Sequence, residues 1–375
     1  MKVRLGDYIR EYSVRNKENK DIPVYSVTNT QGFCKDYFGK EVASKDKTTY
    51  KIVPKGYFAY NPSRINVGSV DWQKEEEKVI VSPLYNVFSV AEEIEQQYLY
   101  YYLKSDITLQ RIRAVSTGSV RDNLKLNMLY EFPINLPTKE EQRYIVKILD
   151  RARQVIELRK KEVDMLNDLI NARFVEMFGD LKTNSKRWDI KSFDEISSLI
   201  TDGEHATPKR DTYGIHLLSA RNVLNHSLQL DDVDYINEDE YDRIAKRVVP
   251  QEGDVLISCS GTVGRCCSVP ADFKFQMVRS VALIRFNKVV NPIFAEYMIT
   301  SNYLQEQINS SKTSSSQANL FQGKIKALKG FLPPIELQNQ FADFVKGVGK
   351  SKVAVRKALE ETQLLFDSLM QQYFG

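Results

Sequence analysis

From Leu136 to Gly179 the apolar residues Ile145, Leu149, Ala152, Ile156, Val163, Leu166, Ile170, Phe174 and Met177 step by threes and fours, with one position skipped near Arg159. Such a stripe lies on one face of an α-helix, with charged residues covering the rest. The stripe returns 196 positions later at Phe341, Val345, Val348, Leu359, Thr362, Phe366, Met370 and Tyr373. Both ends recur at the same offset. Leu136-Pro137-Thr138-Lys139-Glu140-Glu141-Gln142 is answered by Leu332-Pro333-Pro334-Ile335-Glu336-Leu337-Gln338, and Phe178-Gly179 by Phe374-Gly375. Thr138 with Glu141 forms a capping-box pair that can satisfy the first free amides, and Pro334 suits a first helical turn. Each helix is predicted to run for roughly 40 residues, about 60 Å, against about 11–12 residues for an ordinary globular helix. A narrow stripe on so long a helix asks for one partner, and the obvious partner is the other copy, packed as a coiled coil. The seam is expected at Ile145, Leu149, Ile156, Leu166, Ile170, Phe341, Val345, Leu359 and Phe366. Gly347 and Gly349 each cost the second helix up to about 1 kcal/mol relative to alanine, which weakens its first turns.

The segments in front of the two helices also repeat, with insertions that shift the offset slightly. Val3 to Asp7 answers to Ile190 to Asp194. Ile22 to Asn29 answers to Ile215 to Asn222, each a short buried strand ending in a polar turn. Val53 to Tyr60 answers to Val249 to Ile257, a turn and then another strand. A short helix follows, Gln96 to Ile112 against Pro292 to Ile308, and then a polar loop, Thr117 to Leu124 against Thr313 to Leu320. The expected fold is α/β (α+β): two tandem mixed α/β domains, 1–137 and 180–333, each followed by a long helix, 138–179 and 334–375. If the helices pair antiparallel, a pseudo-twofold axis runs through the pair with the domains at its ends. Two similar domains held apart by a rod suit a two-part site on duplex DNA, which has local dyads of its own.

Composition narrows the partners without choosing one. The 375 residues are 42% hydrophobic and 27% charged, ordinary for a soluble protein, and the net charge of +4 permits a locally basic nucleic-acid surface without demanding it. No apolar run approaches the roughly 20 residues of a membrane span, and the first residues lack a signal-peptide core, so a cytoplasmic protein is expected. Cys34, Cys259, Cys266 and Cys267 fit no disulfide framework. Zinc through Cys259, Cys266 and histidine is the alternative to buried thiols, but no C-x-x-C is present.

Motifs for chemistry are absent where an enzyme would need them. Asn61-Pro62-Ser63-Arg64 lacks the second proline and the aromatic of an amino-methyltransferase motif, Glu76-Glu77-Lys78 lies in an acidic run that reads as a solvated face, and there is no G-x-x-x-x-G-K-[ST] loop. Neither a metal site nor a catalytic residue is expected in this chain.

The chain resembles the specificity subunit of a type I restriction-modification system over essentially all of its length. The resemblance rests on Tyr60 to Ser69, on Asp202-Gly203-Glu204-His205-Ala206-Thr207-Pro208-Lys209, on Gly253 to Arg265 and on the proline-led helix starts. It implies a non-catalytic subunit whose two target-recognition domains each bind half of a bipartite sequence. The helices would act as a ruler and dock two methyltransferase subunits, to which motor-nuclease subunits add. S-adenosylmethionine, ATP and Mg would then be bound by partner subunits, with no cofactor here. The rival readings are a coiled-coil adaptor that binds protein alone and a self-contained modification enzyme.

Residues that read DNA must offer donors to phosphates and bidentate or amide groups to base edges. In the first domain the candidates are Ser63, Arg64 and Asn66, together with Lys35 and Lys40, which with Lys45 and Lys47 are interleaved with Tyr37 and Phe38; a merely solvated loop is the alternative. In the second they are His205, Thr207, Lys209 and Arg210, and around two glycines Ser260, Thr262 and Arg265. His205 and Asp202 can instead brace a turn. Arg121 with Asn123, and Gln317 with Asn319, are candidates in the polar loops, which serve equally well as tight connectors.

Overall fold

The computed structural model describes residues 2–35, 46–116, 123–311 and 319–375. Two continuous helices, Lys139–Phe178 and Ile335–Phe374, each hold 40 residues, the length that the apolar stripes predict. The chain divides into two compact units, Met1–Lys161 with Arg356–Gly375, and Glu162–Val355. Both helices therefore contribute to both units.

Within the first unit the beginning of the first helix meets the end of the second. Ile145 and Leu149 are buried in one cluster with Phe374, and Phe366, Met370 and Tyr373 pack against it. Within the second unit the ends are exchanged: Ile170, Phe174 and Phe178 share a cluster with Phe341 and Val348, with Leu166 and Val345 packed alongside. Start against end in each unit is antiparallel pairing. Ile156 is also buried, and Leu359 is half-buried. Gly347 and Gly349 do not interrupt the second helix.

The predicted capping box is present. The Thr138 amide and hydroxyl both donate to the Glu141 carboxylate, at 2.8 and 3.0 Å, and the Glu141 amide donates to the Thr138 hydroxyl at 3.3 Å. In the second copy, where Leu337 replaces the glutamate, the Pro334 carbonyl accepts from the amides of Leu337 and Gln338. The recurring glutamine has a structural reason. Gln142 and Gln338 are fully buried. Nε2 of Gln142 donates to the carbonyls of Glu93 (2.9 Å) and Pro137 (3.0 Å), while Oε1 accepts from the Glu95 amide (2.9 Å). Gln338 makes the same three bonds, to Val289 (3.1 Å) and Pro333 (2.8 Å) and from the Asn291 amide (2.8 Å). Each glutamine fastens its helix to the strand-to-helix connection of its own unit.

The two units share a framework. In the first, Lys2–Arg4 pairs antiparallel with Pro133–Asn135, and a four-stranded antiparallel sheet runs in the order Ile9–Glu11, Asn86–Val90, Phe58–Tyr60, Val70–Trp72. In the second, Asp189–Ser192 pairs with Lys329–Leu332, and the sheet order is Ser197–Asp202, Val281–Phe286, Val255–Ser258, Cys266–Ser268. What each unit adds to this framework differs. The first adds the pairs Ser26–Thr28 with Gly32–Cys34 and Lys51–Pro54 with Lys78–Val81; the second adds a three-stranded sheet in which Ile215–Leu218 runs parallel to Phe275–Met277.

One predicted helix per domain is in fact two. Gln96–Lys104 and Asp106–Ser116 are separated at Ser105, and Pro292–Thr300 and Asn302–Ser310 at Ser301. The Ser105 hydroxyl donates back to the Tyr102 carbonyl (2.7 Å) and the Ser301 hydroxyl to the Met298 carbonyl (2.6 Å), while both serines have extended backbone. A serine that bonds its own preceding turn caps one helix and starts the next.

Candidate nucleic-acid interface

Three loops meet at one end of each four-stranded sheet. In the first unit the loop that leaves Phe58–Tyr60 is folded by Asn61, whose side chain accepts from the Ser63 amide (3.1 Å) and whose carbonyl accepts from the Arg64 amide (3.0 Å). Gly68 closes it in a left-handed conformation, φ +88°. The Ser63 hydroxyl donates to Asn123 (2.7 Å), the Leu124 amide donates to the Pro62 carbonyl (3.2 Å), and the Asn66 carbonyl accepts from Arg113 (3.2 Å). The third loop is a turn closed by the Tyr85 amide on the Ser82 carbonyl (3.0 Å). Burial raises the pKa of Tyr85, and Asn61 and Arg64 oppose that rise, so the first and third loops are neighbours.

The second unit builds the corresponding place from different residues. Ser258 donates to the Thr262 carbonyl (2.7 Å) and accepts from the Arg265 amide (3.0 Å), drawing 259–265 into a tight loop with Gly261 and Gly264 left-handed. The Leu320 amide donates to the Cys259 carbonyl (2.9 Å), and Ser260 is bridged to Asn319. The turn before Val281–Phe286 is closed by the Val281 amide on the Val278 carbonyl (2.9 Å). A cavity of about 330 Å³ opens between these loops, lined in part by Asp202, His205, Ser260, Arg279, Asn319 and Phe321.

Thus His205 and Ser260, which the sequence places in separate clusters, share one cavity. Asp202 lies between two bases, accepting from His205 at 2.7 Å and from Arg247 at 2.6 Å, so the bracing role read for it is present. Gly203 is needed for close approach, because a Cβ there would collide with the carbonyl oxygens of Met277 and Val278. Thr207 and Lys209 are exposed, the Lys209 amide donating to Glu240 (3.0 Å), while Arg210 is paired with Asp234 (2.9 Å) beside Arg221 (3.1 Å). Thr262 is exposed and Arg265 half-buried. In the first unit Ser63 and Arg64 are exposed and Asn66 half-buried; Lys35 is exposed, 3.8 Å from Glu76 and 5.5 Å above the Tyr25 ring. Lys40, Lys45, Arg121 and Gln317 lie outside the described residues. Four rim residues were missed by sequence reasoning, Leu84, Lys125, Arg279 and Phe321, since no motif marks them.

Cys259 is also among the residues lining that cavity, and Cys34 is half-buried. Cys259, Cys266 and Cys267 are buried, and desolvation pushes the Cys259 thiol up to about 12 and the other two upward as well. Among the described residues no three His, Cys, Asp or Glu side chains are grouped to hold a metal, and no helix is long and apolar enough to cross a membrane.

Each unit thus gathers polar loops at one end of its four-stranded sheet and contains part of each long helix. The model of the type I restriction modification DNA specificity domain matches residues 4–167 and again 186–362, and the chain belongs to that family, as a DNA-recognition subunit. It is similar to the type I restriction enzyme MjaIX specificity subunit of Methanocaldococcus jannaschii, 23% identical over 302 residues that span 74% of this chain and 68% of the relative. Among solved structures, a chain from work on complex assembly and conformational transition of the type I restriction-modification system is matched with a TM-score of 0.61 and 18% identity, over 100% of this chain and 97% of that one. The S subunit from M. genitalium is matched at 0.56 and 14%, over 100% and 96%.

Proposed function

We propose that each unit reads one half of a bipartite duplex sequence through its three convergent loops, while the long helices set the gap between the halves and dock two methyltransferase subunits. The observation that carries this reading is the repetition of one loop constellation, Asn61 to Asn66 with Asn123 and Cys259 to Arg265 with Asn319, on the same framework but with different side chains. Equal frameworks with unequal loops suit a common approach to the groove and separate base contacts. Arg64 and Arg265 are the cations on these loops for phosphate or base contact. The chain itself catalyses nothing in this reading; S-adenosylmethionine, ATP and Mg belong to the methyltransferase and motor-nuclease subunits, in the cytoplasm.

The test is modification-site mapping by single-molecule sequencing of DNA from cells that express the chain with type I methyltransferase subunits. Adenine methylation in one bipartite motif with a fixed gap is expected, and its halves should exchange order when the two domains are exchanged. Absence of any motif from an assembled, active complex would reject the proposal.

A further inference from the structure

The turn and the polar loop before the short helix of each unit can be matched position by position. The turn closed by Tyr85 on Ser82 corresponds to that closed by Val281 on Val278, so Pro83-Leu84 and Arg279-Ser280 occupy the same two central positions. Lys125 and Phe321, 196 positions apart, each stand immediately before a short helix, Leu126–Tyr130 and Gln322–Ala327. In the first unit Leu84, 79% exposed, stands on the turn and the exposed Lys125 before the short helix. At the rim of the second stand the exposed Arg279 and Phe321, 57% exposed. Each unit carries one large apolar side chain and one cation on these two loops, with the loops exchanged: Leu84 and Arg279 lie on the turn, aligned with Ser280 and Pro83, and Lys125 and Phe321 before the short helix.

A single exposed leucine or phenylalanine would need no explanation. Here each unit carries one, on the turn in the first and before the short helix in the second, beside the surface proposed to bind DNA, and both turns are braced from beneath. Buried Lys51 donates to the Tyr85 carbonyl (2.7 Å), and the Arg279 amide donates to the Glu204 carbonyl (3.0 Å). Arg279 also differs from five other arginines of its unit. Arg210, Arg221, Arg243, Arg247 and Arg285 are each paired with an aspartate or glutamate, whereas the Arg279 guanidinium has no partner among the described residues. A guanidinium held on a rigid turn with no partner among the described residues is suited to bidentate contact with guanine N7 and O6, and an apolar side chain next to it to a thymine methyl.

We propose that Leu84 with Lys125 in one unit, and Arg279 with Phe321 in the other, are the specificity-determining pairs: in each the cation reads a guanine and the apolar side chain packs on a thymine methyl in the major groove. The exchange of places then makes the two half-sites differ. This rests on the bipartite DNA-reading function proposed above.

The experiment maps methylated motifs for the assembled complex carrying wild-type chain, Arg279→Ala, Arg279→Lys, Phe321→Ala, Leu84→Ala and Lys125→Ala, with the melting temperature of each variant chain checked. Each variant should keep one half-site intact and relax one position of the other, with a loss of discrimination there of about 5- to 150-fold. Arg279 and Phe321 should affect the same half, and Leu84 and Lys125 the opposite one. Arg279→Lys should relax its position less than Arg279→Ala does, because lysine keeps a donor for guanine but not the fixed fork of the guanidinium. A motif unchanged in every variant overturns the proposal and leaves the DNA-reading function standing, as does a uniform fall in methylation that Arg279→Lys restores, which would make Arg279 a phosphate anchor. A wild-type complex without any motif removes the function itself.

Discussion

Gln142 and Gln338 each tie down two carbonyls and one amide that have no other partner of regular structure, from a fully buried position. A buried backbone group left without its bond costs about 1–3 kcal/mol. Gln142→Ala or Gln338→Ala should therefore destabilise the chain by about 2–4 kcal/mol in urea unfolding, allowing for partial relaxation; a loss below about 1 kcal/mol would mean that water replaces the side chain. Two exposed glutamates act on stability through pH instead. Bonds from the Thr138 amide and hydroxyl hold the Glu141 pKa below its usual value, and bonds from the Ser192 hydroxyl and amide do the same for Glu195. A lowered folded pKa means stability that is present above the unfolded value, near 4.5, and lost as pH falls through the folded one. Replacing both by glutamine should flatten the fall in unfolding midpoint from about pH 6 to about pH 3. An acid limb as steep as that of the wild type would show that these caps do not titrate with folding.

The elements divide into those that periodicity reveals and those it cannot. The long helices were legible because their stripe persists over many turns and because the proline, glutamate and glutamine at their starts recur at one offset. Ser105 and Ser301 were not legible as breaks, since a serine is tolerated inside a helix unless its hydroxyl turns back on the chain. At the candidate interface Ser63, Arg64 and His205 could be found because turn residues and donors cluster in sequence. Arg279 and Phe321 could not, because the loops that carry them are brought together only by the sheet, and an isolated arginine or phenylalanine has no pattern. The expected weakness at Gly347 and Gly349 yields a prediction at this scale. A Cβ at either position meets nothing within 4 Å. Gly347→Ala and Gly349→Ala should each stabilise the chain by about 0.5–1 kcal/mol. Thermal unfolding at a lower temperature than the wild type would mean that the second helix needs those glycines, whereas Gly203→Ala should lower it through collision with Met277.

At the scale of the whole molecule, the proposal that the helices set the gap makes a quantitative demand. Every long-helix residue adds about 1.5 Å of rise, and every base pair about 3.4 Å. Removing seven residues from each helix, near the middle where the two units divide it, deletes about two turns and about 10 Å while keeping the apolar stripe on its face. The methylated motif should then keep both half-sites and lose about three base pairs from its gap. Three base pairs also turn one half-site by roughly 100° about the duplex, since about 10.5 pairs make a turn, so methylation should be slower as well as differently spaced. A shortened chain that still assembles and methylates the original spacing would show that the gap is set elsewhere, by the docked subunits or by bending of the DNA. Either result separates length from sequence reading, because the rim residues that would choose the bases are untouched by the deletion.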